Sequence, residues 1–417
     1  MGRPRCLGRG GVMGACRMCG GADLALLLEL GEHPIVHHFL TSPTQEAYVH
    51  HVTLCLCERC GLIQLLDPIP SERFYTEYFC LSSWKHQPHI PRLVQLIEEL
   101  PGVDRHSTIL EVGSNDGIFL HALAQRGYRN LIGIEPAEDA QAAARMKGLD
   151  TVGGYFTPDT ARQLAASRGR CNVFIARQVL EHVSDLVAFR EAMRSVLLPG
   201  AFVVIEVPNF ACNLDTLDYS IWEEHVNYFT PETLNVFLAG TGIHLRHSEL
   251  TMFSGESLVV IGECLGVPQP QPARDYLAGL RSKALAYRSR WPAFREGFAD
   301  CLREYRDRGL GVAVYGAGAR SSCLINYLGV GPEIACFLDD QPEKQGKYVP
   351  GTRLPIVPGE ELERRGIGLC LLGVNTECEE AVVAKHQAWH AQGGSFASVL
   401  PPSGRLLRVW RDLLAVC

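Results

Sequence analysis

Two carboxylates, an imidazole, an amide and a phenol crowd into one short stretch, Trp222-Glu-Glu-His-Val-Asn-Tyr-Phe-Thr230. Such polar density is costly inside a fold unless the groups pair with each other or with a ligand. An imidazole with a pKa near 7, oriented by a carboxylate, suits proton removal, which singles out His225 with Glu224 beside it. A second imidazole, His182, sits in Ala176-Arg-Gln-Val-Leu-Glu-His-Val183. A base of this kind is needed to take a proton from carbon beside a carbonyl, with donors to hold the enolate. Methylating an amine needs little more than a proton sink. The competing reading is structural: a Glu-His pair stapling a loop, with Tyr228 and Phe229 in the core.

A second constellation is Ile109-Leu-Glu-Val-Gly-Ser-Asn-Asp-Gly-Ile-Phe-Leu120, an apolar strand running through a glycine turn into a helix. That layout brings a ligand against bare backbone at the carboxyl end of a first parallel strand. Glu135 follows in Leu-Ile-Gly-Ile-Glu-Pro, at the end of the next strand, spaced to hold ribose hydroxyls. A dinucleotide turn wants a third glycine and no negative charge beside its pyrophosphate. Here only Gly113 and Gly117 are present, and Asp116 would repel a pyrophosphate while tolerating the amine and sulfonium of S-adenosylmethionine. The expectation is a methyl-donor site, against the bland alternative of a glycine turn in an ordinary α/β domain.

Cys16-Arg-Met-Cys19 and Cys57-Glu-Arg-Cys60 are two C-x-x-C knuckles, each followed by a glycine, Gly20 and Gly61. Four thiolates so placed suit tetrahedral zinc with no open position, hence a structural site. The module is too small for a full core, so the metal should supply much of its folding free energy. The alternative is two unrelated pairs or a redox pair. Cys55 reads as a buried thiol, and His33, His37, His38, His50 and His51 as surface or substrate-facing groups.

The elements that must position these groups alternate between strand and helix from Ile109 to Glu263, which predicts a doubly wound sheet. Strands are expected to Val112, at Asn130–Glu135, near Thr151, at Asn172–Ala176, Ala201–Glu206 and Ser257–Glu263. Helices are expected at Pro91–Leu100, to Arg126, at Ala137–Lys147, Pro158–Ala166, Asp185–Leu197 and Pro231–Ala239, the fifth stopped by Pro199-Gly200. Val207 to Thr230 reads as irregular. A proline-rich boundary, Pro268 to Pro272, precedes a mostly helical run, Ala273 to Arg308, interrupted at Pro292. A second strand–turn–helix begins at Gly311-Val-Ala-Val-Tyr-Gly-Ala-Gly-Ala319, with further strands at Ile334–Leu338 and Leu369–Gly373. The expected organisation is a disordered leader (1–15), a zinc-binding module (16–72), a methyl-donor domain (73–270), and a helical linker with a Rossmann-like domain (271–417).

The 417 residues carry a net charge of −7 with 20% charged residues, so there is no basic footprint for nucleic acid or an anionic membrane. No apolar run reaches the roughly 18 residues of a membrane span. The basic, glycine-rich amino terminus lacks the apolar core of a secretory signal. The scatter of 16 cysteines through α/β patterns suits a reduced, cytoplasmic setting.

Together these residues resemble the bacterial nucleotide-sugar C-methyltransferases, which add a branch methyl to deoxysugars. The four knuckle cysteines match that family's zinc module. Glu111-Val-Gly-Ser-Asn-Asp-Gly117, Val179-Leu-Glu-His182 and Glu224-His-Val-Asn-Tyr-Phe229 match its methyl-donor domain. Tyr315-Gly-Ala-Gly-Ala-Arg320 and Leu338-Asp-Asp-Gln-Pro-Glu-Lys-Gln-Gly-Lys-Tyr-Val-Pro-Gly351 match its closing domain.

The resemblance implies methyl transfer from S-adenosylmethionine to carbon next to the ketone of a nucleotide-linked 4-keto-6-deoxyhexose. His225 would be the base with Glu224 beside it, while His182 and Tyr78, taken over Tyr75, face the sugar and help polarise or position its carbonyl. Glu111, Gly113, Asn115, Asp116, Gly117, Glu135 and Gln178 would hold the donor. Trp222, Asn227 and Tyr228 would contact the acceptor, and Arg320, Lys344 and Lys347 its phosphates; the two lysines otherwise form a solvated turn. Trp222 stands where the resemblance expects a tyrosine, and an indole cannot relay a proton as a phenol can. The Gly316-Ala-Gly318 turn lacks a third glycine, with Ser321 in its place. It therefore reads as a closing shell, with NAD binding by an oxidoreductase as the alternative. Methylation of oxygen or nitrogen, and an inactive zinc-ribbon scaffold, are the other readings to be separated.

Overall fold

The computed structural model describes residues 11–12, 14–70, 73, 87–266 and 275–415. Tyr75, Tyr78 and the boundary Pro268 to Pro272 lie outside the described residues. Three sheets organise the chain. The central one has seven strands in the order Ile243–Met252, Glu256–Cys264, Leu197–Pro208, Cys171–Arg177, Thr108–Val112, Asn130–Glu135, Asp150–Gly153. The last five are mutually parallel, and Glu256–Cys264 runs antiparallel to both of its neighbours. Its strands are apolar on both faces because helices cover both. Leu110, Phe174 and Val203 pack on one side, Ile109, Val173 and Val204 on the other. Thr108–Val112 and Cys171–Arg177 are adjacent, so the turns that follow them open on one crevice at the strand carboxyl ends.

The helix expected from Asp185 begins at Leu186, because the Asp185 carboxylate accepts from the amides of Val187 and Ala188 at 3.0 and 2.8 Å. It ends at Val196, and Pro199-Gly200 lies inside the next strand rather than in a loop. The stretch expected to be irregular contains a helix, Phe210–Thr216, and a short strand, Asn227–Tyr228. The edge strand Ile243–Met252 is also additional. Pro292 does not interrupt its helix: Tyr276–Asp307 runs as 32 continuous residues. An interior proline costs about 3 kcal/mol. The buried stripe of Tyr287, Trp291, Phe294 and Phe298 offsets that loss.

That helix packs between two further sheets. The carboxyl-terminal sheet is all parallel, in the order Ile356–Val357, Cys336–Leu338, Gly311–Tyr315, Ile367–Leu372, Ser395–Ser398. The amino-terminal sheet joins Gly11–Val12, Leu24–Pro34, Val49–Cys57 and Ile63–Leu65 in sequence order. Gly11–Val12, inside the stretch expected to be a disordered leader, is a paired strand, with backbone partners at Ala25 and Leu24.

The fifth strand of the amino-terminal sheet comes from far downstream: Asn227–Tyr228 pairs antiparallel with Gln64 and Ile63. The amide of Leu65 donates to the Val226 carbonyl at 3.1 Å, and Arg17, inside the first knuckle, reaches the same carbonyl at 3.2 Å. From the other side the Val226 amide donates to the Glu181 carbonyl at 2.7 Å. The Asn227 side-chain amide donates to the carbonyls of Leu180 and Val183. The stretch richest in chemistry is therefore clamped between the cysteine module and the central sheet.

This clamp predicts coupling between the sulfur cluster and the chemistry segment. Cys57→Ser should raise amide hydrogen exchange at Leu65 and Val226 by about tenfold or more, some 1.4 kcal/mol of lost local protection. Amides of Thr108–Val112 should keep theirs. Equal protection of Leu65 and Val226 in variant and parent would contradict the coupling.

Candidate active site

Against the carboxyl ends of the central strands lies a cavity of about 470 Å³. Gly113, Ser114 and Asn115 form one wall, Glu135 and Ile134 a second, and Tyr155 and Phe156 a third. Gly113 has φ +66°, a left-handed turn that glycine adopts freely, and a Cβ there would lie 2.6 Å from Val179. The Glu135 carboxylate accepts from the amides of Asn115 and Ala137, both at 2.9 Å, which fixes it at the rim with lone pairs to spare. Glu111 lines the floor, is 2% exposed, and has one carboxyl oxygen without a hydrogen-bond partner among the described residues. Burial pushes its carboxyl up to about 8, with Arg177 at 3.6 Å pulling the other way. A cationic ligand atom beside this oxygen would relieve both its missing bond and its lost hydration. These walls suit the expected donor: an acid for ribose hydroxyls, an aromatic face for a base, and an orphaned acid for an ammonium group.

Two expected donor-site residues are elsewhere. Asp116 turns outward, accepts from the Ile118 amide at 3.2 Å and pairs with Lys147 at 2.7 Å. It starts the helix Ile118–Gln125 instead of facing a sulfonium. Gly117 also lies off the cavity. Its φ of +75° and a would-be Cβ 2.3 Å from Leu149 show a role in helix–sheet packing. Gln178 does line the cavity, and its side-chain amide donates to Glu206 at 3.2 Å and Ser257 at 3.0 Å. Beneath it, Glu206 is fully buried. Against the push of burial, Arg177 and His89 hold its carboxyl down at about 2.

The other end of the cavity is formed by His182, Trp222, Glu224 and His37. The His182 ring meets His225 edge-on with centroids 4.8 Å apart, and Trp222 lies 4.5 Å from His225. His225 itself does not border this cavity; it is half-buried behind those two rings. Glu224 does not orient it, contrary to expectation, because its carboxylate is 2.7 Å from Nδ1 of His37. Of the five histidines between the knuckles, His37 is the one that lines the cavity. Its position is set by Glu223, whose carboxylate accepts from the Val36 amide at 2.8 Å and from the Cys323 thiol at 2.8 Å. Nδ1 of His182 lies 3.1 Å from the Glu224 carbonyl, which only accepts, so Nδ1 carries the proton and Nε2 the lone pair.

Burial pushes His225 well below the ordinary histidine value, with His182 and the cation of Arg320 adding to the effect. Burial lowers His182 as well. For His37 burial opposes the charge, but the bond to Glu224 outweighs it and raises the pKa. Burial thus favours the neutral form of two imidazoles, while the contact with Glu224 favours the charged form of the third, where sequence reasoning expected one ring titrating near 7.

Five expected acceptor contacts are not at the cavity. Asn227 is buried and its amide is spent on backbone carbonyls. Tyr228 is buried, with its hydroxyl donating to the Trp222 carbonyl at 2.9 Å. Arg320 is engaged by Asp218 at 2.6 Å, Ser220 at 3.1 Å and the Ser254 carbonyl at 2.9 Å. Lys344 pairs with Asp339 at 3.0 Å, and Lys347 is half-buried on the same turn. Asp339 also accepts from the Ala317 amide at 2.9 Å, which fills the Gly316–Gly318 turn with the protein's own carboxylate. Trp222 does line the cavity, and its buried Nε1 has no partner among the described residues. His37 and Glu181 are the groups sequence reasoning passed over: one sat in a histidine-rich run without metal spacing, the other beside the more conspicuous His182.

The four knuckle cysteines converge, with Cys16 and Cys60 sulfurs 3.4 Å apart and those of Cys19 and Cys57 3.7 Å apart. Tetrahedral zinc with bonds of about 2.3 Å requires sulfurs about 3.8 Å apart, so the set fits the metal. The amides of Gly20 and Gly61 donate back to Cys16 and Cys57, both at 2.8 Å, which makes each knuckle a closed turn.

Residues 16–75 match a zinc binding domain family, 84–248 a methyltransferase domain family and 279–401 the C-methyltransferase C-terminal domain family. C-methyltransferase NovU of Streptomyces niveus is 26% identical over 361 residues, 83% of this chain and 86% of its own. A ubiquinone biosynthesis O-methyltransferase of Pseudomonas aeruginosa is 32% identical over 188 residues, 45% of this chain and 78% of its own. A SAM-dependent methyltransferase of known structure from Archaeoglobus fulgidus is 17% identical, with a TM-score of 0.35 over 42% of this chain and 92% of that one.

The histidine shifts have a definite sign. Below the unfolded value near 6.5 the unfolded chain binds protons that buried His182 and His225 refuse. Their contribution to stability is lost as pH falls through that value; that of His37 is full below it and lost as pH rises through its own raised pKa. NMR titration of labelled imidazoles should find His182 and His225 neutral at pH 6.5 and His37 mostly charged there. A midpoint for His225 at or above 6.5 would contradict this electrostatic picture.

Proposed function

The chain belongs to the S-adenosylmethionine-dependent C-methyltransferases, and from that premise we propose that it methylates the carbon next to the ketone of a nucleotide-linked 4-keto-6-deoxy sugar. The observation that carries this reading is His225: an imidazole that burial keeps neutral, packed behind His182 and Trp222, the two rings that help form the end of the cavity opposite Glu135. S-adenosylmethionine held at the Glu135 end would supply an electrophilic methyl, its S–C bond breaking to leave a thioether. The remaining chemistry falls to the chain. His225, neutral because it is buried, takes the proton from the carbon next to the ketone, and the electron pair of that C–H bond moves into the enolate. The enolate carbon then forms the new bond to methyl, the ketone re-forms, and His225 gives its proton to solvent.

His182, with Nδ1 committed to the Glu224 carbonyl, presents a lone pair and so accepts from a sugar hydroxyl. It does not polarise the ketone, which needs a donor. Trp222 supplies that donor: its buried Nε1–H has no other partner among the described residues. The indole thus replaces the polarising half of a phenol's role and leaves the relay half to His225. The imidazolium of His37 adds positive charge on the same side, balanced by Glu224. Glu111 takes the ammonium of the donor, Glu135 its ribose, and the backbone at Gly113–Asn115 its methionine end. Nucleotide phosphates are not assigned to Arg320 or Lys344, whose charges are already engaged.

Exchange of the proton next to the ketone with solvent, measured in deuterium oxide, tests this step apart from methyl transfer. His225→Ala should slow exchange by about 10²–10⁴-fold, the usual worth of a positioned base. Trp222→Phe should lower it by about 10-fold or more while leaving donor affinity unchanged, as for loss of one oxyanion donor. Full-rate exchange in His225→Ala would sink the base assignment. Methyl transfer to oxygen with no exchange in the parent enzyme would favour an O-methyltransferase.

A further inference from the structure

Glu181 occupies the single turn Leu180–His182 that follows strand Cys171–Arg177. It is 1% exposed, and neither carboxyl oxygen has a hydrogen-bond partner among the described residues. A carboxyl group in that state is costly, because its lost hydration is not replaced. Glu206, equally buried nearby, has donors from Arg177, His89 and Gln178. Among the described residues no side-chain donor offers Glu181 the same, and burial pushes its carboxyl well above the ordinary value, a cost that an imidazolium forming beside it would relieve. Its oxygen, a His182 ring nitrogen and a His225 ring nitrogen all lie within 4.8 Å of one another.

The other acids near His225 are already committed. Glu224 is held by His37, Glu223 by the Val36 amide and the Cys323 thiol, and Asp185 by the first turn of its helix. His182 has spent Nδ1 on a backbone carbonyl. A base needs a second group that fixes its tautomer and stabilises the imidazolium it becomes. We propose that Glu181 is the positioning residue of His225, taking the role that adjacency in sequence would assign to Glu224. It accepts from the ring nitrogen turned away from the acceptor and leaves the other nitrogen to receive the proton. The inference rests on the base role of His225 in the proposed function. It adds no net proton transfer: the C–H proton goes to His225, its electron pair to the enolate, and Glu181 balances the charge. Rotation of the side chain or one bridging water closes a gap of this size.

The titratable and charged groups facing the pair are His182 on the same turn, Glu206 on Leu197–Pro208, Glu224 and Tyr228 on the chemistry segment, and Arg320 from the carboxyl-terminal domain. The same three side chains, two imidazoles and a carboxylate, could alternatively ligate a divalent cation. The two arrangements differ in what they predict.

The full-length enzyme, loaded with zinc, separates them through Glu181→Gln and Glu181→Asp. In Glu181→Gln, exchange of the substrate proton should fall by about 10²-fold or more, with donor affinity and KM within about twofold. Glu181→Asp should recover part of the rate, the acid limb of the pH–rate profile should move in Glu181→Gln, and the His225 NMR midpoint should drop. Parent and variants should each hold one zinc per chain. Exchange at the parental rate in Glu181→Gln with an unmoved His225 midpoint would overturn the proposal. So would a second metal per chain that disappears in Glu181→Gln. If the parent exchanges no keto-sugar proton, the substrate reading fails. The His225 midpoint in Glu181→Gln then still decides the pairing: a drop supports it and no change overturns it.

Discussion

The pairing of Asn227–Tyr228 with Ile63–Leu65 is the constraint on which the rest of the arrangement depends. It makes the segment carrying Glu224 and His225 an edge strand of the cysteine module while its Val226 amide is held by the turn at Glu181. Zinc held by the four knuckle sulfurs would tie the two knuckles together, and Arg17 within one of them grips the Val226 carbonyl. The same module sends in His37, anchored through Val36 to Glu223. Glu223 in turn meets Cys323 of the helix Ala319–Leu328, which ties the carboxyl-terminal domain to the same point. Three sequence-distant parts thus fix one short segment from three directions. A segment so polar would otherwise have little reason to hold one conformation.

Electrostatically, the crevice sorts its ionisable groups by partner. Glu206 keeps its charge because a guanidinium and an imidazole surround it, whereas Glu111 above it is pushed up to about 8 by burial and is left with an open oxygen at the donor end. At the acceptor end the division is between rings: His37 is raised by Glu224, and His182 and His225 are lowered by burial. Environments that push like groups apart are how one site holds a proton acceptor and a positive charge together. On the proposed reading, desolvation keeps His225 neutral and Glu181 supports the imidazolium it becomes, while the Glu224 carboxylate at that end is engaged by His37.

Much of this was legible in the sequence where a residue's role is local. The knuckle spacing located the sulfur cluster. The strand–turn–helix at Gly113 and the acid at Glu135 located the cavity at the strand carboxyl ends, because both follow from chain direction and period alone. What escaped was set by tertiary partners. Glu224 looked like the partner of His225 from adjacency, but consecutive residues point apart, and His37, 187 positions earlier, captured it. Asp116 looked poised for a cation, yet accepting from the Ile118 amide and pairing with Lys147 turned it outward. The strand Ile243–Met252 escaped because its exposed positions include Leu245, Leu250 and Met252, so apolar type does not mark the buried face. Pro292 read as a break, since the aromatic stripe that outweighs it acts only once the helix has packed.

Placing the new bond tests the central claim most directly. The enzyme would be supplied with a nucleotide-linked 4-keto-6-deoxy sugar carrying carbon-13 in the ring, and with S-adenosylmethionine labelled with carbon-13 in its methyl group. The product would then be read by NMR. The account predicts a direct one-bond carbon–carbon coupling between the transferred methyl and the ring carbon next to the ketone. A methyl signal bonded to oxygen, or no transfer to any keto-sugar while the donor binds normally, would contradict it.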